Sequence, residues 1–359
     1  MTRDSLLRST DVPVLILNFN GWDDTFANIA AMQPYLSNLW LVDNGSDHDR
    51  TAEARARFPS IRTLRLPRNG GWAAGYNQAL SVVAREGHDA AYLLNNDAVA
   101  APGAVESAVA ALRADKDCAA VGSIILTHGG RRLSFDGEYF YFKSERERAS
   151  LAFSRAVRPA RVLHGAGLAL SMTAFAKLGP FPEEYFLYWE EADWFIAARR
   201  RGWTLLVDGS SVVMHTGEAS NSAHNSRYYR TRNRFLALQR GIAVSGAEES
   251  LISLVAEELV RCSRGDAEGQ KATRQGLIDG LLGRFGKRRP PWRPLVLTPI
   301  ILSLKLLVRW HQLQARLRAA NRGRGPFPGL PERALNFATR SAQILRRRRR
   351  DLGLAKYSR

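Results

Sequence analysis

Four short strand-like runs, each followed by a cluster rich in Asn, Asp or Gly, punctuate the first hundred residues. Val12–Leu17 (VPVLIL) leads into Asn18–Trp22, and Trp40–Gly45 (WLVDNG) carries the cluster Asp43–Ser46. Ile61–Leu66 precedes Asn69–Trp72, and Ala91–Leu94 ends at Asn95–Asp97. Between the runs lie amphipathic, helix-like stretches, Asp23–Leu36 and Trp72–Ala84. Pro102 suits the first turn of a further helix to Ala114, and Ala119–Gly122 reads as a fifth strand. Strands alternating with helices of this length predict βαβ units and a parallel sheet. Ligands of such sheets sit outside the carboxyl ends of the strands. The spacing therefore predicts a polar ligand site along one sheet edge.

The second half is less regular. Residues 128–161 are charged and irregular, and read as a hairpin or mobile loop, whereas His164–Leu170 is apolar and Gly-rich. A helix is expected from Trp189 to Arg201 with Gly202 as its stop, then strands at Trp203–Val207 and Ser211–Met214. Asn225–Gln239, Ala247–Val260 and Lys271–Leu282 have helical patterns. With 45% hydrophobic and 24% charged residues the 359-residue chain has globular composition. Its two cysteines, Cys118 and Cys262, exclude a disulfide framework or a cysteine zinc site and fit a reducing compartment. The N-terminus has no apolar h-region, so no signal peptide is expected, and no clean eighteen-residue apolar stretch predicts a spanning helix.

Charge divides the chain. Residues 284–359 hold 20 of the 52 Lys+Arg but 2 of the 34 Asp+Glu, and the remaining 283 residues hold 32 of each. The net charge of +18 thus belongs to the C-terminal 76 residues. Such a polycation seeks phosphate, on nucleic acid or on an anionic membrane.

Each polar cluster has a chemical and a purely structural reading. Asp43, with Asn44 and Gly45, could accept from a base imide or a ribose hydroxyl, or form a polar turn capped by Ser46. Asn69, Gly70 and Gly71 open a helix whose N–H groups could meet phosphate, or make a tight turn. Asp97, after Asn95 and Asn96, could hold Mg²⁺ or Mn²⁺ where a ligand's own phosphates add oxygens, or could cap a helix. Glu190, Glu191 and Asp193 could supply a general base, or simply complement a helix dipole. His215 could complete a metal shell or be an ordinary polar residue. The helix with Arg227, Arg230, Arg232 and Arg234 could face a diphosphate or water.

The order of the blocks is more specific than any one of them. VDNGS, NGGWAAGYNQAL, LLNND, GPFPEEYFLYWEEADWFIAARRRGW and HTG together resemble the family 2 glycosyltransferases of GT-A fold, most closely the bacterial rhamnosyltransferase-type branch. The resemblance covers roughly residues 12–240. It implies a mostly parallel Rossmann-like sheet with flanking helices and an inverting transfer of a sugar from a nucleoside diphosphate to an acceptor hydroxyl. By position, Asp43 would meet the nucleoside; Asn18, Asn20, Asn44, Gly45, Asn69, Gly70, Gly71, Asn77, Asn95 and Asn96 would line the nucleotide-sugar cleft. Gly165 and Gly167 would close on the donor sugar. Asp97 takes the place of the last Asp of the family's DxD motif, and His215 that of a metal-binding His, with Mg²⁺ or Mn²⁺ as cofactor. In WEEAD the family's usual Asp base is replaced by Glu191, flanked by Glu190 and Asp193. The turn after VDNGS also departs from the family, with D-H-D-R-T where x-D-G-T is usual.

These readings divide the chain into a GT-A domain over 1–283 and a basic extension over 284–359. The domain would comprise a nucleotide-binding half at about 10–125, an acceptor half at about 160–245 and a helical end at 246–283. In the extension, Leu295–Leu304 is apolar but interrupted at Lys305, which suits an interfacial segment rather than a span. Arg346–Arg350 adds a polybasic run suited to an anionic leaflet. The expectation is a cytoplasmic enzyme, peripheral at the inner face of the membrane, acting on a glycan or lipid-linked glycan of the cell surface. The residues disfavour two other classes. A nucleotidyltransferase would need a basic residue after the first strand, where Asn18-Phe19-Asn20-Gly21 stands. A degenerate transferase holding nucleic acid by its tail would need the aromatic interleaving or a nucleic-acid motif that is missing here.

Overall fold

The structure is a computed structural model. It describes residues 12–127, 132–135, 155–215, 223–242, 255, 258–260, 266–288, 302–306 and 309–310. The first half runs β1 (Val14–Asn18), α1 (Trp22–Ala31), β2 (Leu39–Asp43), α2 (Thr51–Arg57), β3 (Arg62–Arg65), α3 (Trp72–Arg85) and β4 (Ala90–Asn95). Next come β5 (Ala98–Ala100), α4 (Ala104–Ala114), β6 (Cys118–Thr127) and β7 (Arg132–Phe135). The second half holds β8 (Val157–Pro159), β9 (Gly167–Ser171), α5 (Met172–Leu178), α6 (Glu190–Arg200), β10 (Thr204–His215), α7 (Ala223–Gln239) and α8 (Ala267–Leu281).

The strands form one sheet in the order β3-β2-β1-β4-β9-β6-β10-β5, with β7 added to β6 and β8 to β10. The apolar runs are nearly continuous because both sheet faces are covered. Val14, Ile16, Leu39 and Leu41 point into one layer with Phe26 and Ile29 of α1 and Leu112 of α4. Leu15, Trp40 and Val42 point into the other, against Tyr76 and Leu80 of α3 and Trp194 and Phe195 of α6. A separate cluster joins Phe235 of α7 to Leu277 and Ile278 of α8.

Several expectations change. The sheet is parallel only across β3-β2-β1-β4 and between β6 and β10. It is mixed because β9 threads antiparallel between β4 and β6, and β5, β7 and β8 also pair antiparallel. The stretch read as one helix to Leu36 is α1 followed by a 3₁₀ turn, Gln33–Asn38, with Pro34 at its start. Pro lacks the N–H that would continue α1. Pro102 lies before α4, not in its first turn, because Gly103 caps that helix in a left-handed conformation. The strands read at 203–207 and 211–214 are one, β10, with a register shift between Asp208 and Val212. Asp208 accepts from Ser210 N at 2.8 Å there, so the irregularity is absorbed by a side chain. The irregular 128–161 region contributes β7, which returns along β6, and β8 on β10. The helix expected over Ala247–Val260 falls largely outside the described residues, with 255 and 258–260 helical.

Register builds the sheet edge. Asn18 pairs with Asp43, Asp43 with Arg65, and Leu17 with Asn95, so the polar ends of β1 to β4 line up side by side. β5 then folds back on the end of β10, pairing Ala98 with His215 and carrying His215 to the Asn95–Asp97 turn.

Candidate active site

At the β1–β2–β3 end, Asp43 is fully buried and its carboxylate is held from three sides. Asn18 Nδ2 donates to it at 3.2 Å, Ser46 Oγ at 2.5 Å, and Arg65 forms an ion pair. Asn18 Oδ1 accepts from Gly21 N and Thr25 Oγ1 at 3.1 and 3.0 Å. Asn18 and Asp43 are thus engaged by protein groups, and Arg65 has an exposed portion beside them. Asn20 exchanges hydrogen bonds with Asp47 at 2.9 Å on the rim. Gly45 has φ +70°, and a Cβ there would meet the Arg68 backbone at 2.5 Å.

The Asn69–Trp72 loop is tied to the same edge. Asn44 Nδ2 donates to Asn69 Oδ1 and Gly71 O at 3.2 and 2.9 Å, and Asn44 Oδ1 accepts from Gly70 N at 3.2 Å. Gly71 lies at φ +92° against Phe186 O, which a Cβ would approach to 2.0 Å. Only glycine allows that contact, through which Trp72 N donates to Phe186 O at 3.0 Å. The loop after β3 is thereby joined to the segment before α6. Asn77 serves the same junction. Its amide exchanges bonds with the Phe181 backbone at 2.9 Å and donates to Glu183 at 3.0 Å, so it clamps protein groups together from a buried position.

At the β4–β5 turn, Asp97 Oδ1 and His215 Nε2 lie 3.0 Å apart, and Asn95 Nδ2 is 3.5 Å from the same nitrogen. Asn96 turns away and donates to Gly21 O and Thr25 Oγ1 at 3.3 and 3.2 Å. One oxygen and one nitrogen donor converge, which fits a divalent cation whose remaining positions are filled by phosphate and water. Among the described residues no cluster of three or more His, Cys, Asp or Glu could hold a metal. His164, from the HGAG stretch, packs edge-on against His215 with ring centroids 5.9 Å apart. Its Nδ1 accepts from Ala166 N at 3.1 Å. Burial first, then the neighbouring His215 and Arg230, push its pKa down to about 4, so the ring is neutral. Gly165 packs against Trp72, and Gly167, inside β9, against Val213 and Tyr92. Gly167 is thus a packing residue of the sheet.

α6 begins with the WEEAD acids. Glu190 and Asp193 are buried. Asp193 accepts from Tyr185 Oη at 3.0 Å and pairs with Arg240, so its carboxylate is taken up by the scaffold. Glu190 and Glu191 each keep one carboxyl oxygen, Oε2, buried with no hydrogen-bond partner among the described residues. Burial raises both pKa values, and the neighbouring Glu191 charge raises Glu190 further. Adjacent buried carboxyls that repel ionisation unequally separate into a protonated and an ionised member. Arg230, stacked 4.4 Å over Tyr188, draws Glu191 toward the ionised form and also acts on His164. One cation thus lies within electrostatic reach of both halves of the site.

Residues 20–166 match the family model "Glycosyl transferase family 2". The chain carries a family 2 glycosyltransferase domain. It is similar to an N-acetylglucosaminyl-diphospho-decaprenol L-rhamnosyltransferase of Mycobacterium tuberculosis (strain CDC 1551 / Oshkosh), 23% identical over 56% of this chain and 74% of the relative. Among solved structures it is similar to GalNAc-T7 with UDP, GalNAc and Mn²⁺, with 14% identity and a TM-score of 0.49 over 76% of this chain and 56% of that one. The mannosyltransferase PcManGT of Pyrobaculum calidifontis, with GDP-Man and Mn²⁺, gives 19% identity and a TM-score of 0.46 over 86% and 85%.

In this glycosyltransferase, Arg65 and His164 carry no motif signal. Arg65 sits in an ordinary amphipathic strand, and His164 becomes notable only when β10 brings His215 beside it. The arginines of α7 also divide. Arg232 and Arg234 are buried in protein, whereas Arg227 and Arg230 are exposed. The charge of Glu190 yields a stability prediction. A carboxyl whose folded pKa is raised supports folding below its unfolded value and loses that support as pH rises through the folded value. Glu190→Gln removes the titration. Its melting temperature relative to wild type is expected to climb between pH 5.5 and 8.5; a constant difference across that range would refute a buried, titrating Glu190.

Proposed function

We propose that this glycosyltransferase moves a sugar, with inversion, from a nucleoside diphosphate to a hydroxyl of a lipid-linked glycan. What supports this reading is the Asp97–His215 pair at the β4–β5 turn, together with Glu191 at the start of α6, whose Oε2 is buried without a hydrogen-bond partner among the described residues. The curated relative's name places a polyprenyl-diphospho-sugar in a similar enzyme. In this reading Asp43, Asn44, Gly45, Asn69, Gly70 and Gly71 shape the nucleotide pocket, with Arg65 as its exposed polar contact. Asp97 and His215 would hold Mg²⁺ or Mn²⁺, which would supply positive charge to the diphosphate.

The chain's own groups do the remainder. Glu191 takes the proton of the acceptor hydroxyl as that oxygen forms its bond to the anomeric carbon. The bond from that carbon to the diphosphate breaks on the opposite face, and the electron pair leaves with the diphosphate. Arg230 offers a cation to the charge that develops there.

The basic segment is read as an attachment to an anionic membrane. No described helix is long and apolar enough to cross a membrane. Residues 302–306 and 309–310 are helical, and Leu304 packs against the α7–α8 core. Leu302, Leu306 and Trp310 are instead 58%, 60% and 48% exposed at i, i+4 and i+8, beside Lys305 and Arg309. Apolar side chains between cations suit the interface of an anionic leaflet.

Thermal-shift binding of UDP, dTDP, GDP and ADP, with and without Mn²⁺, tests the site. A Mn²⁺-dependent rise with one nucleotide is expected. No rise with any of them would overturn the reading in favour of a degenerate protein that binds through its basic segment. Salt-sensitive binding to RNA but not to anionic vesicles would then identify its target.

A further inference from the structure

Phe186, Tyr188 and Trp189, immediately before Glu190, have φ values of +65°, +67° and +83°. None is glycine. Side chains crowd their own backbone in this region, and such residues persist only where the surroundings over-determine them. Here the surroundings are two adjacent residues of α7. Asn233 is fully buried, and its Nδ2 donates toward the carbonyl oxygens of Tyr185, Leu187 and Tyr188 at 3.0, 2.7 and 2.8 Å. Arg232 is also fully buried and donates from Nε and Nη2 to Asn233 Oδ1 at 2.9 and 2.7 Å, which fixes the amide. Nη2 reaches Tyr185 O at 2.7 Å, and Nη1 donates to Gly286 O. Gly286 N in turn donates to Glu184 O at 2.7 Å.

The clamp therefore has three parts. α7 supplies Arg232 and Asn233, the loop before α6 supplies the carbonyls, and the strap at 284–288 closes the far side. The strap is fastened in its own right, since Arg288 donates to Asn225 and Gln275 and its backbone N–H to Tyr229 Oη at 2.9 Å. The Arg232 guanidinium is enclosed by the rings of Tyr229 and Tyr228 at 4.8 and 5.5 Å. Burying a guanidinium among carbonyls is a poor way to gain stability, because desolvation offsets most of the attraction. A planar fork that ties three backbone segments together is a good way to fix geometry.

We propose that Arg232 and Asn233 are positioning residues that hold the strained 185–189 loop and so set the angle at which Glu191 meets the acceptor hydroxyl. The inference rests on Glu191 as the base. A misplacement of about 1 Å at the reacting groups can lower a rate about 100-fold. Asn233→Asp, which keeps shape and the acceptor for Arg232 but removes the donors, and Arg232→Gln are measured for kcat, donor KM and nucleotide-induced thermal shift.

The expected result is a fall in kcat of about 10- to 100-fold, with donor KM and thermal shift within about threefold of wild type. In a Glu191→Gln background either substitution should leave the residual rate unchanged, because both act through the same carboxylate. Multiplying losses in that background, or a raised donor KM with normal kcat, would overturn the clamp. So would unaltered kcat in an active wild type. A wild type that transfers no sugar would instead overturn the reading of the site itself. Should both variants fail to fold, hydrogen exchange on wild type decides. The Trp72 and Gly286 amides, which donate to Phe186 O in the loop and to Glu184 O just before it, should be strongly protected, and exchange at exposed-loop rates would refute the clamp.

Discussion

Glu191→Gln is expected to lower kcat by about 10²- to 10⁴-fold, the usual worth of a general base, while the nucleotide still binds. The side chain keeps its volume and loses only the capacity to take a proton. Glu190 is not an adequate substitute, since it is the deeper of the two and burial disfavours its ionisation. The pH profile carries a second signature. Because burial raises the Glu191 pKa, the acid limb of kcat/KM should lie above the ordinary glutamate range, and activity should fall as pH drops through it. Arg230 favours the ionisation of Glu191 against the burial that opposes it. Kinetics from pH 5 to 9 and nucleotide binding to the variant check both points. A loss of donor affinity in Glu191→Gln, or an acid limb at the ordinary value, would show that Glu191 is not the base.

Asp97→Ala is expected to weaken Mn²⁺-dependent nucleotide binding by at least about 100-fold, in keeping with several kcal/mol of lost charge neutralisation. Asp97 is the carboxylate of a two-residue set, and removing it leaves one imidazole. His215→Ala should cost less, because it removes no charge from the ion's shell. Chelation by EDTA should reproduce the Asp97→Ala defect in wild type and add nothing to it in the variant. Binding is read by thermal shift, independent of turnover. Equal nucleotide affinity in Asp97→Ala and wild type, with Mn²⁺ present, would remove Asp97 from the metal site.

Much of the fold was legible because hydrophobic burial imposes a period on the sequence. β1 to β4, α3 and α6 fall close to where their apolar runs and breakers lie. What periodicity could not supply was direction and partnership. β9 looks like any buried strand, and only its contacts with β4 and β6 make the sheet mixed. β5 has three residues, too few for any period to show, yet its pairing with β10 assembles the Asp97–His215 pair. The bulge in β10 reads as a turn because a neighbouring strand, invisible locally, holds both halves in register.

The site divides along the same line. Sequence by itself determined which chemistry is present: carboxylates at the start of α6, Asp97 at a strand end, and glycine at Gly71. These are local needs, and the residue type reveals them. Tertiary structure decided what each polar group is occupied with. Asn77 and Asp193 look like site residues in sequence, yet they hold the scaffold. Arg65 and His164 look unremarkable and come to line the site. Arg232 reads as a cation for a diphosphate and is instead buried beneath the loop that carries Glu191. The physical reason is that a hydrogen-bonding side chain has the same chemistry whether its partner is a ligand or a backbone carbonyl. Only the folded chain's proximity selects between them.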